Sequence, residues 1–372
     1  MKFITQHTQL AEHLYRLQGI ASSKTTMPIL SHVLMVAKQD GTLTLAATDL
    51  DLAIEDKLSV QVEREGAIAI HAKNFFDIVK AAPPGEIRIE LTDNHRLEIN
   101  AGQAQFKLVG SAAQEFPALP NAATTRTFPL IANDLASMID GTVFCVSTDD
   151  SRYNLSGVFW EGLGESGTLR LVATDGHRLA LSEREVKASL KGLAAIVPRK
   201  TLVELRRVLG TFENSEKATI DCSFSENHVI FRSESMMLIS RLVEGLYPDY
   251  EQVIPKNADK IVRVARQEFI DALKRVAILA PDKSFCVRLE LGEKVLRIES
   301  QNPELGEAKQ EIAAEYSGKP LVIGFNAHYL LDGLNLISEG GVRLELSDAL
   351  APIVMRPLES RHFTAVVMPM RI

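Results

Sequence analysis

Thr174-Asp175-Gly176-His177-Arg178-Leu179 is the densest polar cluster in the sequence. An aspartate two residues from a histidine could orient an imidazole as a general base. A base needs something to act on, and no serine or cysteine in a nucleophile context accompanies this pair. The chain holds no His-Glu-x-x-His metal motif and no G-x-x-x-x-G-K-S/T phosphate loop. Gly162-Leu163-Gly164-Glu165-Ser166-Gly167 does match G-x-G-x-x-G, but Thr168-Leu169-Arg170-Leu171-Val172 follows it. A dinucleotide site needs a helix there, whose N-terminus holds the pyrophosphate, so the glycines predict a hairpin loop. Cys145, Cys222 and Cys286 are odd in number, far apart and set among strand-like residues. They predict free buried thiols in a reducing cytoplasm, without disulfide or metal. The Asp-Gly pair is then expected to make a turn rather than a catalytic centre.

The turn has relatives in the same chain. Leu45-Ala46-Ala47-Thr48-Asp49 returns 126 residues later as Leu171-Val172-Ala173-Thr174-Asp175, and the same offset lands on Arg297-Ile298-Glu299-Ser300-Gln301. Three units of about 124 residues fill the 372-residue chain. That exceeds the roughly 20–50 residues of a solenoid repeat and matches a whole domain. Boundaries are expected near 120–125 and 255–258, where proline, asparagine and small residues gather, giving units 1–122, 123–254 and 255–372.

Each unit opens with a short strand and a helical apolar spacing: Leu10, Leu14 and Leu17; then Ile131, Leu135, Met138 and Ile139; then Phe269, Leu273 and Val276. Hairpin patterns follow at 33–37 with 42–46, at 156–161 with 168–173, and at 287–291 with 295–299. A second helix carries Phe76 and Val79, then Leu202, Leu205 and Leu209, then Leu330, Leu334 and Ile337. The expected fold is α+β, with three tandem similar domains, each packing two helices on β-sheets.

The net charge of −7 argues against a uniformly basic nucleic-acid binder but allows local basic patches. Lys73, Lys80, Arg199, Lys200, Arg206, Arg207, Arg266, Lys274 and Arg275 fall on the helices, diluted by Asp77, Asp134, Asp140, Asp271 and Asp332. No apolar run reaches the ~18–20 residues of a membrane span, and the first seven residues lack a signal-peptide core. A cytoplasmic protein without membrane contact is expected. The last residues, Val366-Val367-Met368-Pro369-Met370-Arg371-Ile372, are apolar almost throughout. Such an end either closes a strand in the core or offers adaptable surface to a partner.

Four segments together carry a family resemblance. Val367-Met368-Pro369-Met370-Arg371-Ile372, Ala173-Thr174-Asp175-Gly176-His177-Arg178-Leu179, Ile196-Val197-Pro198-Arg199-Lys200 and Tyr247-Pro248-Asp249-Tyr250 resemble the bacterial replicative sliding clamps, the beta subunits of DNA polymerase III. The resemblance runs the full length. It implies a closed ring made by a head-to-tail homodimer, with twelve helices lining the hole and the sheets outside. It implies a processivity factor without catalysis or cofactor, which slides on double-stranded DNA without reading its sequence. The implied partners are the DNA polymerase III catalytic subunit, the clamp loader, and other polymerases and repair proteins that bind through short peptides.

The resemblance also implies residue roles. A peptide groove would use Leu155, Thr174, Gly176, His177, Arg178, Leu179, Pro248, Val253, Asn326, Tyr329, Val366, Met368, Pro369, Met370 and Arg371. Ile372 stands where the family commonly ends in leucine. DNA contact would fall to Lys24, Lys73, Arg152 and Tyr153, with Arg199 and Lys200 added. Lys24 and Lys73 replace common arginines, and Asn154 replaces an aromatic found beside Tyr153 in some members. At the dimer interface Phe106 and Leu108 would meet Ile278 and Leu279 of the other chain, while Arg96 would face Glu304 and Glu307. Lys309 and Gln310 stand where members often carry glutamate, which shifts the expected interface toward apolar contact. An enzyme built on Asp175 and His177 and a static three-domain adaptor are the competing readings.

Overall fold

The structure is a computed structural model that describes residues 1–21, 26–120, 126–149, 151–164, 167–281 and 284–372. Among these the chain forms six α-helices and 25 strands. The helices are α1 (His7–Gln18), α2 (Ala72–Ala81), α3 (Ala132–Val143), α4 (Arg199–Leu209), α5 (Arg266–Ala277) and α6 (Ala327–Leu336). Two helices fall in each repeat, where the apolar spacing placed them.

The buried stripes are those of the sequence. Leu10, Leu14 and Leu17 of α1, Leu202, Leu205 and Leu209 of α4, Phe269, Leu273 and Val276 of α5, and Leu330 and Leu334 of α6 are all buried. Each such side chain contributes about 1.5–3 kcal/mol on leaving water. Ile131 departs from the expected stripe. It ends the strand Arg126–Ile131 and is 40% exposed. The period of two wins there: Phe128 and Leu130 point inward, so the next residue points out. The α6 start is set by Asn326, whose side-chain oxygen accepts from the backbone N–H of His328 (2.9 Å) and Tyr329 (3.4 Å).

The hairpins appear as expected. His32–Ala37 pairs with Thr42–Thr48, Gly157–Leu163 with Thr168–Thr174, and Cys286–Gly292 with Val295–Asn302. The glycine-rich segment joins the second pair, with Leu163 opposite Thr168, so it is a hairpin connection. Glu165 and Ser166 themselves lie outside the described residues.

The sheets do not stop at the repeats. One eight-stranded sheet joins Met236–Arg241 of the second repeat to Leu52–Ser59 of the first, with Leu238 opposite Ile54. The other joins Arg178–Glu185 of the second repeat to Phe363–Val367 of the third, with Leu179 opposite Val366. Two compact units result. The first holds Met1–Ala136 and Lys200–Leu242, and the second holds Ser137–Arg199 and Val243–Ile372. The first unit adds a five-stranded sheet and packs α1 on α2; the second adds a four-stranded sheet and packs α5 on α6. The helices and sheets that bound the site below belong to the second unit.

Phe363–Val367 is an interior strand, held between Arg178–Glu185 and Ile353–Pro357. The apolar chain end is therefore core up to Val367, and only the residues beyond it are left to other work.

Candidate functional site

Three adjacent strands make a floor. Thr174 lies opposite Leu179, and Leu179 opposite Val366, so their side chains share one sheet face. The segment from Tyr247 to Val253 crosses above. Between floor and roof lies a cavity of about 280 Å³. Leu155, Thr174, Gly176, Arg178, Leu179, Val366 and Met368 line it from below and the side, and Pro248, Asp249, Tyr250 and Val253 from above.

The roof is anchored at two tyrosines. Tyr247 stacks on Phe159 with ring centroids 4.9 Å apart and planes within 4°. Tyr250 donates its hydroxyl to Glu161 Oε2 (2.5 Å) and accepts from Arg170 Nη1 (2.8 Å). Arg170 is itself held by Glu183 at 2.6 Å. Burial pushes both phenols above their ordinary pKa.

The polar motif forms the wall. Asp175 Oδ1 accepts from the backbone N–H of His177 (2.9 Å) and Arg178 (3.0 Å), and Thr174 Oγ1 donates to the Arg178 carbonyl (2.7 Å). Gly176 sits at φ +87°, a left-handed conformation that favours glycine over residues with a Cβ. Asp175 Oδ2 accepts from Arg178 Nε at 3.0 Å. With both oxygens engaged in this way, the carboxylate serves the turn and Arg178. The expected structural turn is what the chain makes.

Arg178 is the centre of the wall. Besides Asp175, it donates from Nη1 to Asp332 Oδ2 (2.5 Å) and from Nη2 to the Phe144 carbonyl (2.9 Å). Its guanidinium lies 4.5 Å from the Tyr329 ring centroid and 5.4 Å from that of Phe144. Burial works against the charge, but Cys145, Asp175 and Asp332 outweigh it and raise its pKa. Burial also pushes the Cys145 thiol well above its ordinary value.

Nine of the fifteen expected groove residues line the cavity: Leu155, Thr174, Gly176, Arg178, Leu179, Pro248, Val253, Val366 and Met368. His177 stands beside it, its ring 6.4 Å from that of Tyr329 and its carbonyl accepting from Met368 N at 2.9 Å. Asn326 is spent capping α6. Met370 bridges to Gly324 through its backbone N–H at 2.8 Å, with Pro369 half-buried and Arg371 exposed on either side. Asp249 and Tyr250 line the cavity as well and were not singled out as groove residues. Their signal was the Tyr247-Pro248-Asp249-Tyr250 motif itself.

The other expected contacts are spread over the chain. Lys73 is exposed on α2, 3.8 Å from Asp77. Arg199 is exposed at the start of α4, and Tyr153 is 58% exposed. Lys200 is bonded to Asp49. Arg152 donates to the Asp175 carbonyl at 2.7 Å and approaches Asp149 at 3.5 Å. Lys24 lies outside the described residues. Phe106 and Leu108 are half-buried on Ala104–Val109, an edge strand, with Arg96 exposed on the strand beside it. Ile278 is 73% exposed just after α5 and Leu279 is half-buried. Glu304 and Glu307 are exposed at the start of Gly306–Ala313, also an edge strand. Cys145 and Cys222 are buried free thiols, while Cys286 is only partly buried.

Comparison with known proteins decides the family. The N-terminal, central and C-terminal domain models of the DNA polymerase III beta subunit match residues 1–120, 130–249 and 251–371. The beta sliding clamps of Proteus mirabilis and Escherichia coli K12 are each 36% identical over 374 residues, covering all of both chains. The chain belongs to the beta sliding clamp family. A Pseudomonas aeruginosa sliding clamp solved in complex with griselimycin superposes with a TM-score of 0.94 at 34% identity, again over both full chains. The three matched domains follow the three repeats. As a sliding clamp the chain is a non-catalytic processivity factor of DNA replication, and the turn chemistry of Asp175 accords with that. No helix among the described residues is long and apolar enough to cross a membrane.

Proposed function

We propose that two copies of this sliding clamp pair head to tail around duplex DNA. In this reading the cavity below Tyr250 takes short peptides from the DNA polymerase III catalytic subunit, the clamp loader, and other polymerases and repair proteins. The observation that carries it is the preformed, mostly apolar cavity, lined from four separate stretches of chain. That is the anatomy of a small recognition pocket. An apolar side chain of the partner would fill the space over Leu179 and Val366, while Met368, soft and 37% exposed, adapts to its shape. The griselimycin complex of the Pseudomonas clamp supports a ligand-binding role for the fold.

The function is tethering. A polymerase held by a peptide to a ring on the template meets the primer end at high effective concentration, without a strong bond to DNA. Lys73, Arg199 and Tyr153 are the exposed candidates for sequence-independent DNA contact, because phosphate contacts position without specifying. Lys200 and Arg152 would first have to leave Asp49 and Asp175.

Fluorescence anisotropy of a labelled clamp-binding peptide tests the site. The full chain is expected to bind saturably, and a chain ending at Val367 is expected to lose binding with Met368. Binding that survives the truncation moves the site elsewhere.

A further inference from the structure

The segment that roofs the cavity faces two spaces. Pro248, Asp249, Tyr250 and Val253 line the apolar cavity, while Glu251, Ile254 and Lys256 line a second cavity of about 290 Å³. The two floors adjoin on one sheet face. Leu179 belongs to the first and Leu181 to the second; Val366 belongs to the first and Thr364 to the second. Leu181 and Thr364 lie opposite each other, as do Leu179 and Val366. Two residues along a strand span roughly 6.6 Å, so the floors are about two extended residues apart.

Their chemistry differs. The second cavity is lined by Arg170, Lys256, Arg356 and Arg361 around the apolar Leu181 and Ile254. Its two acids, Glu183 and Glu251, are both engaged by Arg170, at 2.6 and 3.1 Å. Arg356 reaches Glu345 (3.4 Å) and Thr364 (3.2 Å). Lys256 and Arg361 are exposed, and among the described residues neither makes an ion pair or a side-chain hydrogen bond. Two uncommitted cations thus flank an apolar patch in a chain of net charge −7.

We infer that the basic cavity is an auxiliary subsite for acidic residues flanking the apolar anchor of a bound peptide. This rests on the peptide-site reading of the first cavity. The spacing of the floors places the preferred carboxylates two to four residues from the anchor, in the stretch that extends toward Lys256 and Arg361. Charge at that distance speeds encounter as well as holding the complex.

Two labelled peptides test this on the full chain. They share one apolar anchor; one carries Asp and Glu two to four residues away on both sides, the other Ser and Gln. At low salt the acidic peptide is expected to bind about three- to tenfold more tightly, as two partly exposed ion pairs allow. The gain should vanish in K256Q/R361Q and in high salt. The neutral peptide should bind wild type and variant equally, which also reports an intact fold. Equal affinity of the two peptides for the wild type overturns the inference, as does a gain that survives K256Q/R361Q. Failure of the neutral peptide to bind at all would instead remove the peptide site itself.

Discussion

The Arg178 guanidinium bonds to Asp175, Asp332 and the Phe144 carbonyl and lies against two aromatic rings. Its side chain is only 15% exposed. It therefore builds the wall that a peptide meets, with little of it left to reach the peptide. Arg178→Ala would leave Asp175 Oδ2, Asp332 Oδ2 and the Phe144 carbonyl without the guanidinium donor. The expected cost is about 2–4 kcal/mol in urea unfolding, with peptide affinity falling more than about tenfold as the wall loosens. Arg178→Lys restores charge without the planar fork and should fall between the two. Unfolding curves and anisotropy on the same preparations check both. The sequence showed Arg178 as a member of a polar motif. It did not show the commitment, because Asp332 lies 154 residues on and reads locally as one acid on a solvated helix face.

Elements of different repeats are joined by a buried charge cluster in the first unit. Asp56, fully buried on Leu52–Ser59, accepts from Arg16 of α1 at 3.2 Å and lies 2.7 Å from His13 Nδ1. Arg16 also donates to Thr211, just after α4, at 2.8 Å. Asp56→Ala would remove the buried acceptor of Arg16 and leave it the carboxylate of Glu12, at 2.5 Å, so a loss of about 1–3 kcal/mol is expected by urea unfolding. The helices and hairpins of this unit were legible as periods of 3.6 and two. Their joining was not, since strand pairing between repeats leaves no local pattern, and Ile131 shows how the two periods compete at a junction. The roof over the cavity gives a pH signature of its own. Burial raises the pKa of Tyr247 and Tyr250 on folding, so the native state keeps protons that the unfolded chain loses above about pH 10. Stability from these groups is complete below that pH and falls as pH rises through it. The urea midpoint should drop from pH 9 to 11, and Tyr247→Phe should make that drop shallower.

At the scale of the whole molecule, the three-fold repeat was legible from one five-residue block, but repetition alone does not say how the proposed second copy would be met. Two edge strands bear on that. Ala104–Val109 closes the five-stranded sheet and Gly306–Ala313 the four-stranded one, and an uncovered edge invites pairing. Large apolar side chains are exposed beside them: Val109 at 71%, Ile278 at 73% and Leu305 at 60%. Two of the nearby charges are taken within their own sheets, Lys107 by Glu98 at 2.7 Å and Lys309 by Glu299 at 3.2 Å, while Arg96, Glu304 and Glu307 are exposed. An interface made from these strands would draw mainly on apolar burial and backbone hydrogen bonds, since any pair of Arg96 with Glu304 or Glu307 across it would be an exposed and weak one. Ile278→Asp should then raise the dimer dissociation constant by about a hundredfold or more, as losing a central apolar contact does. The wild-type constant should change less than about threefold from roughly 50 to 500 mM salt, where exposed ion pairs would be screened. Sedimentation across protein and salt concentrations reads both. The variant should keep its affinity for a clamp-binding peptide while losing retention on circular DNA, because the cavity is complete in one chain and the proposed encirclement takes two. A strong salt dependence, or an Ile278→Asp chain that remains a dimer, would place the subunit contact on other residues.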